Sequence, residues 1–137
     1  MPAHVLVPFD GTAQSEAALR FVSDEWPDAD CTLLHVIDPV TVGFQGRFPG
    51  GSETWYEQAR ERAQEQFDAA RERTGESFDT RIEVGSPARV VVEVAGADAF
   101  DHIALGSHGR DGVSRVLLGS VAEAVVRRAP VPVTVVR

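Results

Sequence analysis

Gly106, Gly109 and Gly119 stand at the spacing G-x2-G-x9-G, and Ser120 follows the last of them directly. The apolar run Ile103-Ala104-Leu105 precedes the first glycine and reads as a buried strand. Behind Ser120, Ala122, Val125, Val126 and Ala129 recur at helical spacing. A strand, a glycine-rich loop and a helix start in that order could hold a phosphate. Glycine accepts positive φ and lets the backbone approach a ligand closely. The unpaired N–H groups of a helix N-terminus face an anion and are helped by the helix dipole. Gly106 and Gly109 are expected to pass close to a sugar and the first phosphates. Gly119, Ser120 and Val121 open the helix and offer N–H groups, with the Ser120 hydroxyl, to the outer ones. Arg110 and Arg115 could add charge from the loop or stand solvated. The competing reading is a loop whose glycines serve geometry alone.

Two further side chains invite a chemical role. Asp10 follows the first apolar run in Val7-Pro8-Phe9-Asp10. Its carboxylate can accept from ribose hydroxyls or help hold a divalent cation, or it can simply form the turn beside Gly11. His108, in Gly106-Ser107-His108-Gly109-Arg110, tempts as a general base. That role needs an oriented partner, and the sequence shows none, so His108 is read as a loop residue near a ligand. His102 and His108 have no metal-ligand spacing with any Cys, Asp or Glu. All 13 basic residues are arginine, which excludes a P-loop with its required lysine. The dinucleotide fingerprint is missing too, because Asp10-Gly11-Thr12 stands where it should begin.

The elements that must position these residues alternate along the chain. Val5 to Pro8 is a central buried strand with Pro8 at its end, since proline breaks a central ladder. Thr12 caps a helix whose Ala18, Phe21 and Val22 share a face. Asp28-Ala29-Asp30 reads as a turn, and Thr32 to Val36 as a second buried strand stopped by Asp38-Pro39. Residues 40–52 read as a loop and as the most mobile segment. A second helix follows with Trp55, Ala59, Ala63, Phe67 and Ala70 along one stripe, ending at Gly75. Its Glu57, Arg60, Asp68 and Arg71 make a solvated face. Phe78, Thr80, Ile82 and Val84 alternate as a third strand. Ser86-Pro87 caps a third helix that buries Val90, Val91, Val94 and Ala95. His102 to Leu105 is the fourth strand, a fourth helix starts near Ser120, and Val133 to Val136 is the fifth strand. Strands alternating with helices mean a parallel sheet covered on both faces.

The glycine spacing, the opening Leu6-Val7-Pro8-Phe9-Asp10-Gly11-Thr12 and the closing Ala129-Pro130-Val131-Pro132-Val133 together resemble the universal stress protein family. The resemblance covers the chain from Val5 to Arg137 except the loop after Pro39. It implies one α/β domain over residues 1–137, a doubly wound five-stranded sheet in the order 3-2-1-4-5. The topological switch then lies between strands one and four, where such sheets bind ligands. Relatives with this glycine spacing form the ATP-binding branch, so the resemblance implies ATP, with or without Mg2+. It also implies that the backbone of Val36 reads the adenine edge. Pattern and resemblance together give the expected nucleotide site: Pro8, Asp10, Val36, Gly106, His108, Gly109, Arg110, Gly119, Ser120 and Val121.

The leading functional reading is a dimeric stress-response module that binds an adenine nucleotide. The alternatives are a slow ATP-hydrolysing or adenylyl-transferring enzyme and an interaction protein with an empty pocket. No water-positioning residue or arginine finger is evident, which weighs against the enzyme. The apolar, β-branched stretch Val131 to Val136 falls at a sheet edge in the implied order. Such an edge calls for a partner, and a homodimer through it is expected.

Composition sets the setting. The net charge of −8 without lysine suits work in high salt, where self-repulsion is screened, or reflects a genome that favours arginine codons. No basic patch for nucleic acid is present. No apolar run approaches the roughly 18 residues of a membrane span, and no leader pattern is seen, so the cytoplasm is expected. One cysteine, Cys31, allows no internal disulfide.

Overall fold

The computed structural model describes residues 1–40, 51–107 and 118–137. Among the described residues five strands and four helices alternate: β1 (His4–Pro8), α1 (Ala13–Glu25), β2 (Asp30–Ile37), α2 (Gly51–Thr74), β3 (Asp79–Val84), α3 (Pro87–Ala97), β4 (His102–Gly106), α4 (Ser120–Arg128) and β5 (Val133–Val136). The sheet order is β3-β2-β1-β4-β5, and every pairing is parallel. This is the expected doubly wound α/β fold.

The inner strands β1 and β4 and the middle of β2 are apolar because both faces of the sheet are covered there. Val5, Val7, Phe9, Leu33 and Ala104 pack with Ala18, Leu19 and Val22 of α1 and with Phe67 and Ala70 of α2. Leu6, Leu34, Ile103 and Leu105 turn the other way, onto Val90, Val91, Val94 and Ala95 of α3 and Ala122 and Val125 of α4. Burying one such side chain is worth roughly 1.5–3 kcal/mol. An exposed ion pair such as Arg20–Glu16 contributes about 0–1 kcal/mol. Core packing therefore sets the register.

Several local expectations are corrected. Asp30 is not in the turn: its N–H donates to the Ala3 carbonyl at 2.8 Å, which starts β2 two residues before Thr32. Phe78 lies before β3 and is buried as a plug. Ser86 takes the N-cap position of α3 without a side-chain hydrogen bond, so Pro87 alone serves that start. Val126 of α4 is exposed and does not share the face of Ala122 and Val125. The cap at α1 is as expected: the Thr12 hydroxyl accepts from Ser15 N at 3.2 Å. The loop expected to run to residue 52 is shorter, since Gly51 and Ser52 already belong to α2; the mobility expected of residues 41–50 lies outside the described residues.

Candidate functional site

The site begins with Pro8. The Phe9 N–H donates to the Leu34 carbonyl of β2 at 2.8 Å. Backbone groups alternate sides along a strand, so those of Pro8 face β4. Proline has no N–H to give there. The β1–β4 ladder stops at Leu6↔Ile103, whereas β1–β2 runs on to Pro8↔Leu34 and β4–β5 to Gly106↔Val136. The two central strands part at their carboxyl ends, and the crevice of the topological switch opens between them.

Asp10 stands exposed at the mouth of this crevice, just past β1. Its Oδ1 accepts from Thr12 N at 3.1 Å and from Thr12 Oγ1 at 2.6 Å. The carboxylate thus forms the turn into α1, and Oδ2 takes no part in either bond. Gly11 between them has φ 81°, the left-handed conformation that favours glycine. The start of α1 is closed by this Asp10–Thr12–Ser15 chain of hydrogen bonds.

The start of α4 is different. Gly119 is its N-cap, and no side chain of that residue can cap the helix. Its carbonyl accepts from Glu123 N at 2.9 Å, so the helix begins properly, and the next N–H groups belong to Ser120 and Val121, both exposed. Four such N–H groups lack a partner within any helix. The one carboxylate in that first turn, Glu123, is paired with Arg127 at 2.6 Å.

Gly106 ends β4, but it does not serve the site by an unusual conformation. Neither Gly106 nor Gly119 has positive φ. A Cβ on Gly106 would lie 2.3 Å from the Gln14 carbonyl oxygen. Gly106 therefore lets β4 lie against the first turn of α1 and brings the two halves of the crevice together. The following Ser107 N–H donates to the Val136 carbonyl at 2.8 Å. His108, Gly109, Arg110 and Arg115 lie outside the described residues.

Val36 lies on the far side of β1. The Leu34 carbonyl faces β1 and the Ile37 carbonyl faces β3, where it accepts from Gly85 N at 3.0 Å. By alternation, the peptide groups of Val36 face the β1 side, two residues beyond its last partner. Next to it, the His35 ring is hydrogen-bonded through Nδ1 to the Phe9 carbonyl at 3.0 Å. Burial lowers the His35 pKa, while the Phe9 carbonyl and Asp10 pull it back up. His35, Thr12 and Gln66 were not expected to act at this turn. The signal for Thr12 lies in Asp10-Gly11-Thr12, where a carboxylate two residues before a hydroxyl can bond its backbone.

Comparison with known proteins identifies the family to which this fold belongs. The profile of the universal stress protein family matches residues 1–137. The chain belongs to the universal stress protein family. A universal stress protein of Methanocaldococcus jannaschii is 32% identical over 139 residues, 97% of this chain and 81% of that protein. The solved universal stress protein UspA of Lactobacillus plantarum is 27% identical with a TM-score of 0.76, covering 98% of this chain and 97% of that one. A universal stress protein solved in complex with cAMP is 25% identical with a TM-score of 0.64, covering 99% and 97%. In this universal stress protein fold, Pro8, Asp10, Val36, Gly106, Gly119, Ser120 and Val121 all lie at the carboxyl ends of the strands or at the α4 start that faces the same end. No helix among the described residues is long and apolar enough to cross a membrane, and none of their His, Cys, Asp and Glu side chains form a group of three fit for a metal.

Proposed function

We propose that this universal stress protein binds ATP, with or without Mg2+, in the β1–β4 crevice and acts as a small cytoplasmic stress-response module that signals as a homodimer. The observation that carries the reading is the contrast between two helix starts at one crevice. Asp10 and Thr12 close α1, whereas the N-cap of α4 is Gly119, which has no side chain to bond the first N–H groups of that helix. An anion is stabilised at such a start. Phosphates therefore belong at α4, with Asp10 at the ribose or beside a phosphate-bound cation through Oδ2. Val36 offers to the base the peptide groups that face the β1 side beyond the end of the β1–β2 ladder. His108, Gly109 and Arg110, in the sequence between β4 and α4, complete the proposed set. A relative solved with cAMP supports an adenine nucleotide as the ligand class. The dimer is proposed through the stretch Val131 to Val136, whose strand β5 forms one edge of the sheet. The high-salt setting remains a proposal resting on the absence of lysine.

Gly119→Val tests the phosphate position. Gly119 has φ −65° and ψ 163°, which valine can adopt, so the helix should still form at a cost of about 1 kcal/mol. The branched side chain would stand where the phosphate meets the backbone. Calorimetry with ATP should show at least a tenfold loss of affinity. Equal affinity would remove the phosphates from α4, and a wild type that binds no adenine nucleotide in magnesium and salt would overturn the reading.

A further inference from the structure

We propose that His35 is a positioning residue of this site: its Nδ1–H, donated to the Phe9 carbonyl, fixes the backbone from which the Asp10 carboxylate projects. The inference deepens the nucleotide-binding reading and rests on it for the use made of Asp10. The geometry of the turn stands without a ligand.

Ladder bonding to β2 holds the Phe9 N–H, but Phe9 lies one residue past the end of β1. Its carbonyl would be free to rotate with the turn. The His35 ring takes that carbonyl at 3.0 Å. The same α2 side chain supports both partners: Phe67 packs against the Phe9 ring at 6.0 Å between centroids and meets the His35 ring edge-on at 6.5 Å. Phe67 itself is fully buried. The next link is also held from α2, because the Gln66 amide lies across Gly11, where an added Cβ would come within 2.8 Å of Gln66 Cδ. Thr12 then fixes Asp10 Oδ1. Each residue from Phe9 to Thr12 is thus held from outside the turn or by its neighbour, and Asp10 is oriented before any ligand arrives. Preorganisation of this kind improves affinity by removing ordering costs from the binding step.

The arrangement fixes a tautomer. A carbonyl only accepts, so Nδ1 must carry the proton. Burial favours the neutral ring, which leaves Nε2 unprotonated. Ring 15N shifts of the wild-type protein without nucleotide should show the neutral Nδ1–H form; a neutral Nε2–H form would overturn the inference without any variant. His35→Phe keeps an aromatic ring and removes the donor, whereas His35→Asn places an amide N–H near the Nδ1 position. Amide exchange at Thr12 should be about fivefold faster in His35→Phe, the scale of one lost hydrogen bond, and should recover in His35→Asn. Unchanged exchange at Thr12, or an equal rise at the core amides of β2, would overturn positioning. ATP affinity should fall by a similar factor in His35→Phe and return in His35→Asn. A wild type that binds no ATP but shows the Thr12 response would sink the nucleotide reading and leave His35 as the residue that sets the turn.

Discussion

A Cβ on Gly106 would lie 2.3 Å from the Gln14 carbonyl oxygen and 2.5 Å from its carbonyl carbon. Both are backbone atoms of α1, so neither can swing aside as a side chain would. Gly106→Ala must push β4 and α1 apart, and overpacking of this kind costs about 1–3 kcal/mol. Urea unfolding should show that loss as a lower midpoint, and ATP affinity of the folded protein should fall with it, because the same displacement widens the crevice. Gly119→Val should differ in its balance, with affinity lost at least tenfold and stability lowered by only about 1 kcal/mol. A Gly106→Ala variant as stable as wild type would mean that the close approach at Gln14 relaxes freely. Cys31 illustrates the same dependence on surroundings. Its thiol is buried and pushed up to about 12, by burial first and then by Asp79 and Glu76, which keeps it protonated and inert at neutral pH.

The start of β1 and the start of β4 are tied by one carboxylate. Asp101 accepts from Ala3 N at 2.9 Å and His4 N at 3.2 Å, and the Ala3 bond is the main reason its pKa lies below 3.8. Beside it, burial holds the His102 pKa below 6.5, with Asp101 pulling it up, and Nε2 lies 2.7 Å from Thr134 Oγ1 of β5. Both folded pKa values are depressed, so both contributions are complete above the unfolded values and are lost as pH falls. His102, together with His35, should weaken the fold as pH drops below about 6.5, and Asp101 should do so below about 4. Urea midpoints followed down in pH should fall in those two stages. His102→Gln should shrink the first stage, and Asp101→Asn the second; an unaltered profile in both variants would remove these groups from acid unfolding. At this scale the sequence was largely readable. Alternating apolar runs and turn residues announced the nine elements of the described residues, and Pro8 announced the end of β1. Hidden were effects that require partners distant in the chain: Asp30 joining β2 through Ala3, the Gly106–Gln14 approach, and the facing of each strand's N–H groups. At the site, Asp10 and the helix start at Gly119 were legible as types in a pattern. The His35–Phe9 bond was not, because only the register of β2 on β1 brings that ring to that carbonyl.

Across the whole molecule, the sheet has two edges, and they differ. At the β3 edge, Arg81 is paired with Glu83 at 2.9 Å and with Asp98, and such charges discourage strand addition. At the other edge β5 carries Val133, Thr134, Val135 and Val136, with no charge in the strand. The Pro132 carbonyl accepts from Ile103 N and the Val136 carbonyl from Ser107 N, so these groups face β4. By alternation, the N–H and C=O groups of Val133 and Val135 face outward. Val131 and Pro132 precede the strand proper, which narrows the proposed contact from Val131–Val136 to the last four of those residues. Pairing with the same strand of a second copy in antiparallel sense would satisfy both outward residues around a closed two-fold axis. Two copies of charge −8 repel, so the mass should be measured in at least about 0.15 M salt, where the Debye length is about 8 Å. Val135→Pro removes an outward N–H and leaves the β4 ladder intact, since proline is tolerated at an edge whose N–H faces solvent. Val135→Thr keeps both the N–H and the β-branch. Light scattering should give twice the chain mass for wild type and Val135→Thr, and a shift toward the single chain for Val135→Pro. A monomeric wild type, or a folded Val135→Pro that remains fully dimeric, would place the contact elsewhere.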